Sequence, residues 1–209
     1  QYFLDNFATV EEAVAAMQDA PFTIVSKPVA NGMAAAIHMA ISDATGDSAI
    51  FEYIDGELVI HHGREYVVMT NSPIYSEQLA LNAYWEKAGG ENFLPGTASA
   101  TDRWVRASYY LKTMKKQEDR KLALATVFSL IRGVSPPIGS ANGVETLWRT
   151  VADQDAKTYY FDSAISPSVF WIDLNKVDLK PGAKAKKLVT SKDKPLAGEV
   201  SSQMKEAEP

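Results

Sequence analysis

At 209 residues, 46% hydrophobic and 22% charged, the chain has the balance of a globular protein of one or two domains with a sizeable core, and disorder is not expected over most of it. A formal charge of −5 and a pI near 5.3 leave no clustered basic footprint of the kind nucleic acid requires, so small molecules or other proteins are the expected partners. There is no cysteine, hence no disulfide framework, thiolate metal site or thiol nucleophile within these residues, and no apolar run is long enough to span a bilayer.

The chain opens at Gln1 rather than Met, with no signal pattern visible, so its natural start is expected to lie elsewhere. Thr9 followed by VEEAVAAMQ predicts a capped helix with an acidic first turn, ending by Pro21. FTIVSK (22 to 27) reads as a short strand and PVANGM (28 to 33) as a loop. Residues 34 to 63 read as three meandering strands, turned at Asp43 to Asp47 and at Asp55-Gly56. YVVMT (66 to 70) is expected as a fourth strand, ended by Pro73. Helices are predicted over about 75 to 88, 101 to 114 and 118 to 132, and GVSPPIGSANG (133 to 143) reads as a loop. Strands return at ETLWRTVAD, KTYYFDSA and SVFWIDL. Strands, then helices, then strands is an α+β order. From Lys176 to Lys194 seven lysines, Lys176 included, replace large apolar residues, which reads as a solvated tail over 176 to 209.

The chemistry on offer is sparse. His61 and His62 are strand neighbours that point to opposite faces and do not converge on one metal ion, and His38 in an apolar strand reads as a hydrogen-bonded core histidine. Neither a nucleophile elbow nor a phosphate-binding glycine loop is present. Asn71, at the end of YVVMT, has an amide that can donate to a developing oxyanion or simply cap the turn, and spacing alone favours the cap. Arg103 stands in the first turn of a helix, where the dipole does not help it, which points to some other task, but the residues alone favour a surface ion pair with Asp102 or a neighbouring acid.

The stretches IHMAISDATGDSAIFEYIDGELVIHHG, YVVMTNSPIYSEQLALNAYW, LPGTASATDRWVRASYY and TLWRTVADQDAKTYYFDSAISPSVFWIDL together resemble the choloylglycine hydrolase family, which includes penicillin V acylases and conjugated bile acid hydrolases. The resemblance runs in order from about residue 20 to 175. It implies the four-layer αββα sandwich of N-terminal-nucleophile hydrolases, incomplete here because the family's opening region has no counterpart, so that 1 to 175 would be the C-terminal portion of a single domain. It implies a cysteine nucleophile at the start of the mature chain, which attacks a linear amide and forms an acyl-enzyme that water then hydrolyses.

Residue by residue, the resemblance places Asn71 as the oxyanion-stabilising asparagine of a T-N-x-P corner. It places Arg103 beside the nucleophile, where a permanent cation favours thiolate. Ile37 aligns with an apolar substrate-pocket position and loop 28 to 33 with a substrate-facing loop. No cofactor or metal is implied. The implied partners are a small amide with an apolar acyl group and a Cys-initiated segment or chain, and a homo-oligomer is left open. The substrate would be penicillin V, an acyl-homoserine lactone or a conjugated bile salt. A shorter stretch between Asn71 and Arg103 than Gram-positive members carry favours the first two, together with a periplasmic location. The rival expectation is a non-catalytic remnant or ligand-binding subunit of the same fold.

Overall fold

A computed structural model describes residues 2–19, 21–25, 38–89, 92–140, 145–191 and 194–208. The chain divides into two compact units, Gln1–Lys115 and Lys116–Pro209.

In the first unit, helix α1 (Tyr2–Asn6) leads into α2 (Val10–Gln18). Thr9 caps α2 by accepting from Glu12 N at 3.2 Å, while the Glu12 side chain accepts from Ala8 N and Thr9 N, which pairs donors that a helix start leaves orphaned. Val10, Ala13, Val14 and Met17 are buried, the spacing of a single helix face. That face meets the antiparallel sheet of β1 (Met39–Ser42), β2 (Ser48–Ile54) and β3 (Glu57–His62), in the order β1-β2-β3. The β2–β3 turn uses Asp55 and Gly56, both at positive φ (52° and 87°), as a two-residue hairpin requires.

Strand β2 is covered on both faces, and that arrangement organises the unit. Ala49 and Phe51 join the α2 cluster, whereas Ile50, one residue out of phase, packs with Tyr75 and Trp104. Tyr75 opens α3 (Tyr75–Ala88) and Trp104 lies in α4 (Ala100–Thr113). Ser99 caps α4 by accepting from Asp102 N at 3.2 Å.

Two expected strands differ. Residues 22 to 25 of FTIVSK form no strand, and the rest of that stretch, loop 28 to 33 and Ile37 lie outside the described residues. YVVMT runs without strand pairing among the described residues. The turn after β3 explains its start: the one Ser48 hydroxyl proton is shared between Gly63 O at 2.8 Å and Tyr66 O at 3.0 Å, and Tyr66 N donates to Gly63 O. A side chain thereby takes the carbonyl a neighbouring strand would use. Tyr66, Val68 and Met69 still pack against the Ile50–Tyr75–Trp104 cluster.

The second unit holds α5 (Arg120–Gly133), capped by Asp119, and a meander of β4 (Trp148–Asp153), β5 (Thr158–Ser163) and β6 (Val169–Asp173). Asp162 of β5 is buried and accepts from Arg132 Nε of α5 at 2.9 Å and from an Arg149 terminal nitrogen at 3.3 Å, which fastens the helix to the sheet. Helices and antiparallel strands in these two units make the chain α+β.

Residues past 176 depart from the solvated tail expected of them. After a pairing of β7 (Lys186–Lys187) with the later β9 (Lys205–Glu206), β8 (Gly198–Glu199) adds to β6 in parallel, so that the sheet order is β4-β5-β6-β8. Val200 has no exposed surface, Val200 N donates to Trp171 O at 2.9 Å, and Ser201 Oγ accepts from Asp173 N. The Glu199 carboxyl is pulled down to about 2, first by its hydrogen bond to Lys176 and then by those to Ser201. Composition hid this, because a short parallel pairing, the Val200 and Ser201 hydrogen bonds and one buried valine hold this lysine-rich segment. Val200→Ala is therefore expected to lower the unfolding free energy by about 1–3 kcal/mol, measured by denaturant titration. A loss within about 0.5 kcal/mol, as for a surface site, would return the segment to solvent.

Candidate active site

The corner between the end of YVVMT and α3 is held mostly by side chains from elsewhere in the first unit. Ile74, the residue before α3, offers no side-chain cap. Glu52 of β2 does that work: its buried carboxyl group accepts from Tyr75 N at 3.0 and 3.1 Å, an acid at the positive end of a helix. His38 Nδ1 at 2.6 Å and His61 Nε2 at 2.9 Å complete its partners. Burial pushes the Tyr75 hydroxyl up to about 12, with Tyr66, Glu65 and Glu52 adding repulsion, as a group turned away from water should behave. Above this dry floor stand Asn71, exposed, and the cis Ser72–Pro73 bond.

Arg103 of α4 reaches the corner across 32 residues of chain. Its Nε donates to Ala98 O at 3.1 Å and a terminal nitrogen donates to Asn71 Oδ1 at 3.0 Å. Because a guanidinium has donors and no acceptor, the atom facing it must be the amide oxygen. Asn71 Nδ2 is consequently turned away from Arg103, and it meets no acceptor among the described residues. Among the described residues the donor recorded on Asn71 Oδ1 is Arg103 and not a backbone N–H of the turn.

Arg103 makes no ion pair among the described residues. Asp102, its expected partner, instead accepts from Thr97 N at 3.0 Å and Thr97 Oγ1 at 2.6 Å. Burial, and then the adjacent Arg106 guanidinium, lower the Arg103 pKa from the ordinary arginine value, yet a guanidinium keeps its charge at neutral pH. Arg106 itself is occupied in holding the preceding loop, donating to Pro95 O and Thr97 O. The corner thus presents an oriented NH2 donor beside a half-buried cation that has no ion-pair partner among the described residues. Such a pair can steady an oxygen anion, but neither group can attack a carbonyl.

The histidines are spoken for. His61 and His62 diverge as strand neighbours do, one to Glu52 and the other to Asp47 at 2.8 Å, and His38 is the hydrogen-bonded core histidine expected. Ile37 cannot be placed, because it lies outside the described residues. A cleft of about 130 Å³ between α3 and α4, lined by Trp85, Leu94, Val105 and Tyr109 among others, includes neither Asn71 nor Arg103. Sequence reasoning missed Glu52 and Gln78. Glu52 alternates with Phe51 and Tyr53 and so reads as solvent-facing, and only its two histidine neighbours on the flanking chain hint otherwise.

Comparison with known proteins bears on the whole chain. Residues 1–191 match the pattern of the linear amide C-N hydrolases, choloylglycine hydrolase family. The chain is 46% identical over 230 residues to the penicillin V acylase of Pectobacterium atrosepticum, covering 100% of this chain and 61% of that protein. It is 26% identical to a bile salt hydrolase/transferase of Clostridium perfringens, covering 85% of this chain and 61% of that one. Among solved structures, a penicillin V acylase from Agrobacterium tumefaciens superimposes with a TM-score of 0.89 at 49% identity, over 100% of this chain and 66% of that one. A conjugated bile acid hydrolase from Clostridium perfringens, at 22% identity and a TM-score of 0.66 over 98% of this chain and 63% of that one, shares the fold. The chain therefore spans 61% of the length of each of these two curated relatives. With residues 1–191 matched out of 209, it belongs to the choloylglycine hydrolase family of linear amide C-N hydrolases.

Proposed function

We propose that these residues form the oxyanion-stabilising part of an enzyme that hydrolyses linear amides with an apolar acyl group. The observation that carries the reading is the Arg103–Asn71 bond, which commits Oδ1 and leaves Nδ2 free to donate. When a nucleophile adds to an amide carbonyl, the oxygen gains negative charge, and a donor already aimed at that position lowers the barrier without reorganising. Arg103 adds a fixed positive charge, which also favours a nearby thiolate.

The attacking group would be a cysteine that begins a segment outside the 209 residues, which contain no cysteine. Its thiolate forms a bond to the acyl carbon, the C–N bond breaks, the amine leaves with a proton, and water then hydrolyses the thioester. That segment would also complete an αββα sandwich of the N-terminal-nucleophile kind. Penicillin V or an acyl-homoserine lactone is favoured over a bile salt, supported by 46% and 49% identity to penicillin V acylases against 26% and 22% to bile-acid enzymes. A periplasmic location accompanies the reading. Hydrolysis of penicillin V by residues 1–209 alone, unaffected by thiol alkylation, would contradict the cysteine assignment. No hydrolysis from the full-length protein would favour a non-catalytic relative.

In the full-length enzyme, Asn71→Ala should lower kcat by about 100- to 1,000-fold with little change in folding. Asn71→Asp should lose as much, because it keeps the partner for Arg103 but cannot donate. Either variant within a few-fold of the parent would remove Asn71 from the oxyanion role. For Arg103→Lys, which keeps charge but loses the planar fork, the expected result is a comparable loss of kcat, since one ammonium cannot hold both Ala98 O and Asn71 Oδ1 in the same geometry. Near-parental kcat with a displaced pH profile would show that only the charge matters.

A further inference from the structure

We propose that Gln78 is a positioning residue for Asn71, an inference that rests on Asn71 serving as oxyanion donor. Gln78 is the fourth residue of α3 and is 1% exposed, an uncommon place for a glutamine. Its Nε2 donates to Asn71 O at 3.2 Å and to Thr70 Oγ1 at 3.3 Å. Thr70 spends its hydroxyl proton on Ala100 O at 3.0 Å, so toward Gln78 it can only accept, as can a carbonyl. Both contacts therefore assign the NH2 group, and not Oε1, to the corner.

The other half of the amide is unpaid: Gln78 Oε1 is buried with no donor among the described residues. A buried carbonyl without a partner is destabilising, so an apolar side chain of the same shape would hold α3 about as well. What such a side chain could not do is grip the main chain of Asn71. Arg103 fixes the Asn71 side chain from α4, Gln78 fixes its backbone from α3, and Thr70 links the two by bonding Ala100, the first residue of α4. The donor's position is thereby set from both ends. Misplacement of a reacting group by about 1 Å costs on the order of 100-fold in rate, which gives a backbone grip of this kind catalytic weight.

The test is a double-mutant cycle in the full-length enzyme. Gln78→Met removes both amide atoms at nearly constant shape. Expected are a kcat reduced about 10- to 100-fold, a KM within a few-fold of the parent, and a Tm within about 4 °C. In the Asn71→Ala background the same substitution should reduce kcat no further, because the group it positions is gone. An equal fall in both backgrounds, or an unchanged kcat in the parent, would overturn the proposal. Should Gln78→Met fail to fold, Thr70→Val, which removes only the link, is read by the same criterion. If Asn71→Ala alone leaves kcat unchanged, the oxyanion reading has failed, and that result is separate from any behaviour of Gln78.

Discussion

One hydrogen bond, from the Arg103 guanidinium to Asn71 Oδ1 at 3.0 Å, gives the corner its direction. An isolated asparagine can turn either end of its amide toward a ligand, and a solvent-exposed one does both. Arginine has no acceptor, so contact with it removes one of the two orientations. The donor end then faces outward, beside a charge with no carboxylate paired to it among the described residues. Because the bond joins the stretch before α3 to the first turn of α4, it requires those helices to sit at a fixed spacing, and much of the first unit can be read as a means of fixing it.

Burial of β2 on both faces supplies that rigidity. Ile50 brings Tyr75 and Trp104, the anchor residues of α3 and α4, into one cluster, with the rings of those two 4.8 Å apart, edge to face. Two residues along the same face, Glu52 binds the first N–H of α3. A buried carboxyl group is costly unless its lone pairs are occupied, and the donors from Tyr75, His38 and His61 occupy them. Apolar packing and a saturated polar group on one strand face thus hold α3, while α2 seals the opposite face.

The elements that carry local signals were legible in the sequence: the Thr9 cap, the Asp55-Gly56 hairpin, three helices within two residues of their observed ends, and the later meander. Asn71 and Arg103 were legible as candidates only through the family resemblance, because nothing local distinguishes a turn asparagine from an oriented donor. That they touch each other is a fact of tertiary structure 32 residues apart. Glu52 and Gln78 were invisible for a related reason: polar residues at alternating or helical positions read as solvent-facing until register and packing show what covers them. The lysine-rich end misled in the same way, since its attachment to β6 depends on backbone pairing and on Val200, neither of which changes composition.

The central claim is that Arg103 aims Asn71 as a donor to an oxyanion. The most direct measurement is a crystal structure of the full-length enzyme with a stable tetrahedral oxyanion mimic, such as an adduct of an aldehyde analogue of the acyl group with the nucleophile. The account predicts Asn71 Nδ2 at about 2.7–3.1 Å from the mimic's oxygen, with Arg103 still bonded to Oδ1. An oxygen bound by other donors, with Asn71 released from Arg103 or turned away, would contradict it.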